Sequence, residues 1–91
     1  MDSKEFLAKQ DEIIDRLKTI NINEVILHKL IQSLCNTYNP HDVRNLSQDY
    51  KKYYLDVLNE NVNFILGLYE DLSKDMFIYM LFSKEGLLNN E

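Results

Sequence analysis

Glu24 and His28 stand one helical turn apart, a spacing that puts two side chains on one helix face and can present half of a metal site. A catalytic zinc needs three protein ligands and a structural zinc needs four. The other histidine, His41, lies in a separate segment beside Asp42. Both histidines are therefore expected to be exposed or capping, with no metal and no cofactor. Cys35 is the lone cysteine, so no internal disulfide or cysteine-built zinc site is expected. A thiolate nucleophile needs a base within reach, and His28 precedes Cys35 by about two helical turns. A buried small hydrophobe is the expected role of Cys35. The sequence holds no Gly-rich phosphate loop, no G-x-S-x-G and no H-E-x-x-H. No catalytic residue is assigned, and the chain is expected not to be an enzyme.

Tyr50-Lys51-Lys52-Tyr53-Tyr54 interleaves aromatic and basic residues, which can stack on single-stranded nucleic acid. Against that, 15 acidic residues face 10 basic ones, for a net charge of −5. That sign opposes contacts to phosphates and to anionic membranes. Tyr50 and Tyr53 are instead expected to bury their rings in a helical stripe. Tyr54 falls off that stripe and is expected on a contact surface, where tyrosine is enriched.

The run Met76-Phe77-Ile78-Tyr79-Met80-Leu81-Phe82 is unbroken apolar sequence. A helix of a small domain rarely buries its whole circumference, and exposed contiguous apolar surface marks interaction sites. Its methionines would make such a surface adaptable. Tyr54, Met76, Phe77, Tyr79, Met80 and Phe82 are accordingly the candidate partner-binding residues, toward another protein or a second copy in a homodimer. The alternatives are a terminal helix threading the bundle centre, or Leu87 and Leu88 folding back over it.

These residues must be held by one domain, because a chain of 91 residues buries roughly 60–65% of its unfolded surface, enough for one core. Two Gly and one Pro allow few turns, which argues for long elements with short connections. The N-terminal Met1-Asp2-Ser3-Lys4-Glu5-Phe6 lacks a signal pattern. No apolar run approaches the ~20 residues of a membrane span. With the lone cysteine, this makes a cytoplasmic location the expectation.

Four helical segments follow from the patterning. The first runs from about Ser3 to Ile20, opened by Asp2 or Ser3 with Glu5 at capping-box spacing. Its apolar face is Phe6, Ile13, Leu17 and Ile20, widened by Leu7 and Ile14. Glu5–Lys9 and Glu12–Arg16 can pair on the outer face. Asn21 or Asn23 caps a second segment, whose Val25, Ile26, Leu27, Leu30, Ile31 and Leu34 predict a central helix ending near Cys35. Asn39-Pro40-His41-Asp42 opens the third, with cap, first-turn proline and acid in sequence. Val43, Leu46, Tyr50, Tyr53 and Val57 form its expected core stripe. Asn59-Glu60-Asn61 predicts a break. The fourth carries Val62, Phe64, Ile65, Leu66, Tyr69 and Leu72, then the apolar run, ending near Gly86. Ser73-Lys74-Asp75 can split it. The expected fold is all-α, a small antiparallel bundle of four helices, or five with that split.

Residues 30–54 resemble the helical-hairpin aspartyl-phosphatases that remove phosphate from sporulation response regulators in Gram-positive bacteria. That family has a helix, a short loop and a second helix opening with Ser-Gln-Glu-Leu-Asp. Here Leu30-Ile31-Gln32-Ser33-Leu34 leads through Asn39-Pro40 to Val43-Arg44-Asn45-Leu46-Ser47-Gln48-Asp49-Tyr50-Lys51. Ser47 and Gln48 match the motif, Asp49 matches conservatively, and Val43 and Leu46 fit its upstream apolar spacing. Tyr50 replaces leucine, and Lys51 stands where the family places its closing aspartate. The resemblance implies a module that docks on a response regulator.

With no catalytic constellation, the expected function is a non-enzymatic protein–protein interaction module. A small bacterial or phage regulator, inhibitor or immunity-type protein fits that description. A response-regulator phosphatase and a structural subunit of a larger assembly are the alternatives.

Overall fold

The computed structural model describes residues 1–35 and 38–83. It is all-α, and no strand occurs among the described residues. Helix α1 (Ser3–Asp15) runs into a 3-10 turn (Arg16–Thr19). Then follow α2 (Glu24–Leu34), α3 (Pro40–Arg44), α4 (Gln48–Asp71) and α5 (Lys74–Phe82). Side-chain caps open every helix. Asp2 accepts the Glu5 N–H, Asn23 that of Val25, Asn39 that of Asp42, Ser47 that of Tyr50 and Ser73 that of Met76. Each satisfies a backbone donor that has no partner inside its own helix.

The third expected helix is divided. The Asn45 and Leu46 N–H groups close 3-10-type bonds to Asp42 and Val43, and Ser47, in extended conformation, caps the next helix. A serine hydroxyl that offers the backbone an alternative partner favours such a stop. Asn39→Ala should cost about 0.5–2 kcal/mol of stability. An unchanged melting temperature would show that this cap does not hold α3.

The break expected at Asn59-Glu60-Asn61 does not occur, because α4 is continuous over 24 residues. Asparagine is a mediocre helix former, but tertiary packing overrides propensity. Leu58, Val62 and Ile65 are buried through this region. The Arg16 guanidinium also ties Asn59 Oδ1 at 2.9 Å and Asn63 Oδ1 at 2.5 Å. Arg16 thus bonds to α4 instead of to Glu12.

The buried face of α4 is Lys51, Leu55, Leu58, Val62 and Ile65. Tyr50 and Tyr53 are exposed, which corrects the stripe expected from sequence. Helix α2 is also less central than its composition predicts. Of its residues only Leu30 is fully buried, and Val25 is 63% exposed.

Two apolar clusters hold the elements. The larger joins Ile14, Leu17, Ile20, Leu30, Leu58, Val62, Ile65, Phe77 and Leu81; the smaller joins Phe6, Val43 and Leu55. Ile13 and Tyr54 pack against both. Contacts between α1 and α4 advance in step along both helices. Met1 meets Gln48, Gln10 meets Tyr54, Arg16 meets Asn59 and Asn63, and Asn21 meets Tyr69. This pair therefore runs parallel. Neighbours joined by short loops reverse direction, but α1 and α4 are separated by α2 and α3, which return the chain to its starting end.

Gly67 lies inside α4, and a Cβ added there would meet nothing within 4 Å. No packing demands glycine at this position, whose backbone freedom costs helix stability. Gly67→Ala should raise stability by about 0.5–1 kcal/mol. A lower denaturation midpoint would show that the site is crowded.

Candidate binding surface

Helix α5 carries the apolar run singled out in the sequence. Ser73 Oγ accepts the Met76 N–H at 3.2 Å, and Asp75 places a negative charge in the first turn, where the helix dipole favours it. Phe77 and Leu81, one turn apart, are buried. The Phe77 ring stands edge-on to Tyr69, with centroids 5.3 Å apart. Phe77 is thus a core residue, a correction to its expected place on a partner surface. Met76, Tyr79, Met80 and Phe82 remain outside, Tyr79 at 67% exposure. The helix is apolar around its circumference while only one stripe meets the bundle. Gly86, Leu87 and Leu88, expected to end or cover this helix, lie outside the described residues.

Tyr54 also leaves the expected surface. It is half-buried and touches both core clusters, and its hydroxyl donates to Gln10 Oε1 at 2.6 Å. Gln10 is itself buried, so the bond satisfies a polar group that would otherwise be costly inside the core. Phe6, Tyr38, Tyr50 and Tyr54 form a ladder of ring contacts with centroids 5.6–6.2 Å apart. Tyr50 marks its outer end. Its hydroxyl and that of Tyr38 share a hydrogen bond of 3.2 Å, which raises the Tyr50 pKa above its ordinary value.

The stretch Ser47-Gln48-Asp49 sits at the start of α4. Ser47 Oγ is engaged as the cap, accepting the Tyr50 N–H at 3.0 Å. The Gln48 amide is engaged at both ends. Its Oε1 accepts from the Met1 amino group at 2.7 Å, and its Nε2 donates to the Met1 carbonyl at 3.0 Å. Asp49 is exposed and lines an open groove between α1 and α4, together with Glu5, Lys9, Glu12, Lys52 and Asp56. Lys51 is 3% exposed and donates to the Met1 carbonyl at 3.1 Å. Its long stem can lie among apolar neighbours while the ammonium keeps a partner.

Glu24 and His28 share the rim of a shallow groove with Lys18, Ile20, Ile22 and Leu27, while exposed His41 lies in α3. Among the described residues, no three His, Cys, Asp or Glu side chains assemble a metal site. Cys35 is half-buried, and its thiol contacts the Ile31 carbonyl at 3.3 Å. Burial pushes its pKa up and the charge of Asp11 adds to the shift, so the reactive thiolate is disfavoured. Among the described residues, no helix is long and apolar enough to cross a membrane.

Compared with protein-family models, curated proteins and solved structures, the chain matches none.

Patterning alone did not reveal that α4 is apolar on two sides. Tyr53, Val57, Phe64 and Leu68 repeat at helical spacing outside the buried row, and Phe64 is 65% exposed. The signal lay in the interleaving of a tyrosine-bearing row with an aliphatic one.

Proposed function

We propose that this chain is a non-enzymatic protein-binding module that meets its partner through the outer face of α5. The observation that carries the reading is the exposure of Met76, Tyr79, Met80 and Phe82 on a helix whose opposite stripe is already committed to the core. Contiguous apolar surface of this kind marks interaction sites, and methionines adapt to a partner's shape. A small regulator, inhibitor or immunity-type protein works this way, by covering a surface on another protein. A structural subunit would use the same face permanently.

The test is the double variant Met80→Glu with Phe82→Glu. It should abolish association, read as solution mass or recovery of a bound protein, while the helical circular-dichroism signal and melting temperature hold. Unfolding of the variant, or association that persists, would count against this face.

The phosphatase-like reading draws on Ser47, Gln48 and Asp49 at the opening of α4. Gln48 is the residue of that stretch suited to orienting a water by amide hydrogen bonds, and its amide bonds to Met1 at both ends. Faster decay of a phosphorylated receiver domain, lost in Gln48→Ala, would favour that reading instead.

A further inference from the structure

Helix α4 carries a second apolar row on its outer side, with its two aromatic residues exposed. Tyr53, Val57, Phe64 and Leu68 follow one another at steps of four, seven and four residues, which keeps them on one side of the helix. Tyr53 and Phe64 are each 65% exposed. Val57 and Leu68 are half-buried and belong to neither core cluster nor to the residues packed against them. Glu60 stands within the row between Val57 and Phe64 and is exposed. Gly67, one turn after Phe64, leaves open space where a side chain would be. The result is an aromatic knob beside a gap, on a helix about 36 Å long at 1.5 Å per residue.

Charge selects the occupant. From Tyr53 to Ser73 the chain carries Asp56, Glu60, Glu70 and Asp71 and no Lys, Arg or His. Arg16 is held against this stretch by its bonds to Asn59 and Asn63, and Lys52 and Lys74 flank it in sequence. Any helix that covers Val57 and Phe64 must also cover Glu60, and a carboxylate taken out of water needs a cation. A second copy's own α4 offers none between Tyr53 and Ser73. Paired about the middle of the row, in either direction, it would set Glu60 beside its own mate.

We infer that the outer row of α4 is the docking seam for a basic amphipathic helix of another protein, whose apolar residues cover Tyr53, Val57, Phe64 and Leu68 while a Lys or Arg meets Glu60. This adds a partner class and a second surface to the protein-binding reading. It stands on α4 alone, so it can fail while the α5 face holds, and the reverse.

The probe is a synthetic helical peptide of about 20 residues, long enough to span the row, with leucines at alternating three- and four-residue spacing and lysines flanking them. Control peptides carry glutamine or glutamate in place of lysine. The lysine peptide should bind the full chain, more weakly as salt rises, and the glutamate peptide should not. Because exposed aromatic anchors dominate such interfaces, Phe64→Ala should weaken binding about tenfold or more. Glu60→Gln should weaken the lysine peptide while sparing the glutamine peptide, and Met80→Glu on α5 should leave both unchanged. Equal binding of the lysine and glutamate peptides would overturn the charge argument. Full binding by a folded Phe64→Ala variant would overturn the seam. A chain that is dimeric in solution, and monomeric as Phe64→Glu, would assign the row to a second copy.

Discussion

Phe77→Ala should lower the stability of the chain by about 3–5 kcal/mol, the usual cost of emptying a buried phenylalanine site. The ring is 1% exposed and sits in the larger cluster with Leu58, Val62, Ile65 and Leu81. Its edge-on contact with Tyr69 is lost as well, and such pairs contribute about 0.5–1.5 kcal/mol beyond area burial. A domain of this length has a total stability of roughly 5–14 kcal/mol, so the change removes a large share of it. Urea denaturation followed by circular dichroism reads the effect as a lower midpoint. Met80→Ala, one turn away from Met76 on the exposed side, should stay within about 0.5 kcal/mol of the unmodified chain. Similar losses in the two variants would mean that α5 does not turn Phe77 to the core and Met80 to solvent.

Phe6→Ala should cost a comparable amount, about 3–5 kcal/mol, but through the smaller cluster. Phe6 is fully buried with Val43 and Leu55, and its ring meets Tyr38 at 5.8 Å and Tyr54 at 5.6 Å. Helix α3 contributes one buried residue, Val43, and an isolated helix of five residues has no stability of its own. Its docking therefore depends on Phe6. The expected result is a lower melting temperature, by about 4–8 °C for each kcal/mol lost in a domain of this size, with a changed near-ultraviolet tyrosine signal. A loss below about 1 kcal/mol, no more than an average substitution costs, would show that α1 and α3 do not share a core.

What sequence alone determined was local. The Asn39 cap was readable because a short polar side chain there precedes proline and backbone donors a few residues ahead. The first two caps were narrowed to Asp2 or Ser3 and to Asn21 or Asn23, and the structure chose Asp2 and Asn23. Ser73 was readable as a split and not as a cap. The all-α class followed from helical spacing and the scarcity of Gly and Pro, and the apolar surplus of α5 followed from its unbroken run. Ser47 as a cap was hidden, because Leu46 and Tyr50 on either side continue an apparent three–four stripe. The continuity of α4 was hidden too, since Asn59 and Asn63 acquire their role only when Arg16 arrives from the end of α1.

Only the tertiary structure decided which row of α4 faces inward. Leu55, Leu58, Val62 and Ile65 form one row; Tyr53, Val57, Phe64 and Leu68 form another. Periodicity registers both equally, because it measures spacing along one helix and not what lies opposite. The parallel course of α1 beside α4 brings Phe6, Ile14 and Leu17 to the aliphatic row, and α5 folds back to add Phe77 and Leu81. Burial is fixed by the surfaces that distant segments supply, so Tyr54 turns inward to Gln10 while Tyr53, the adjacent residue, stays in water.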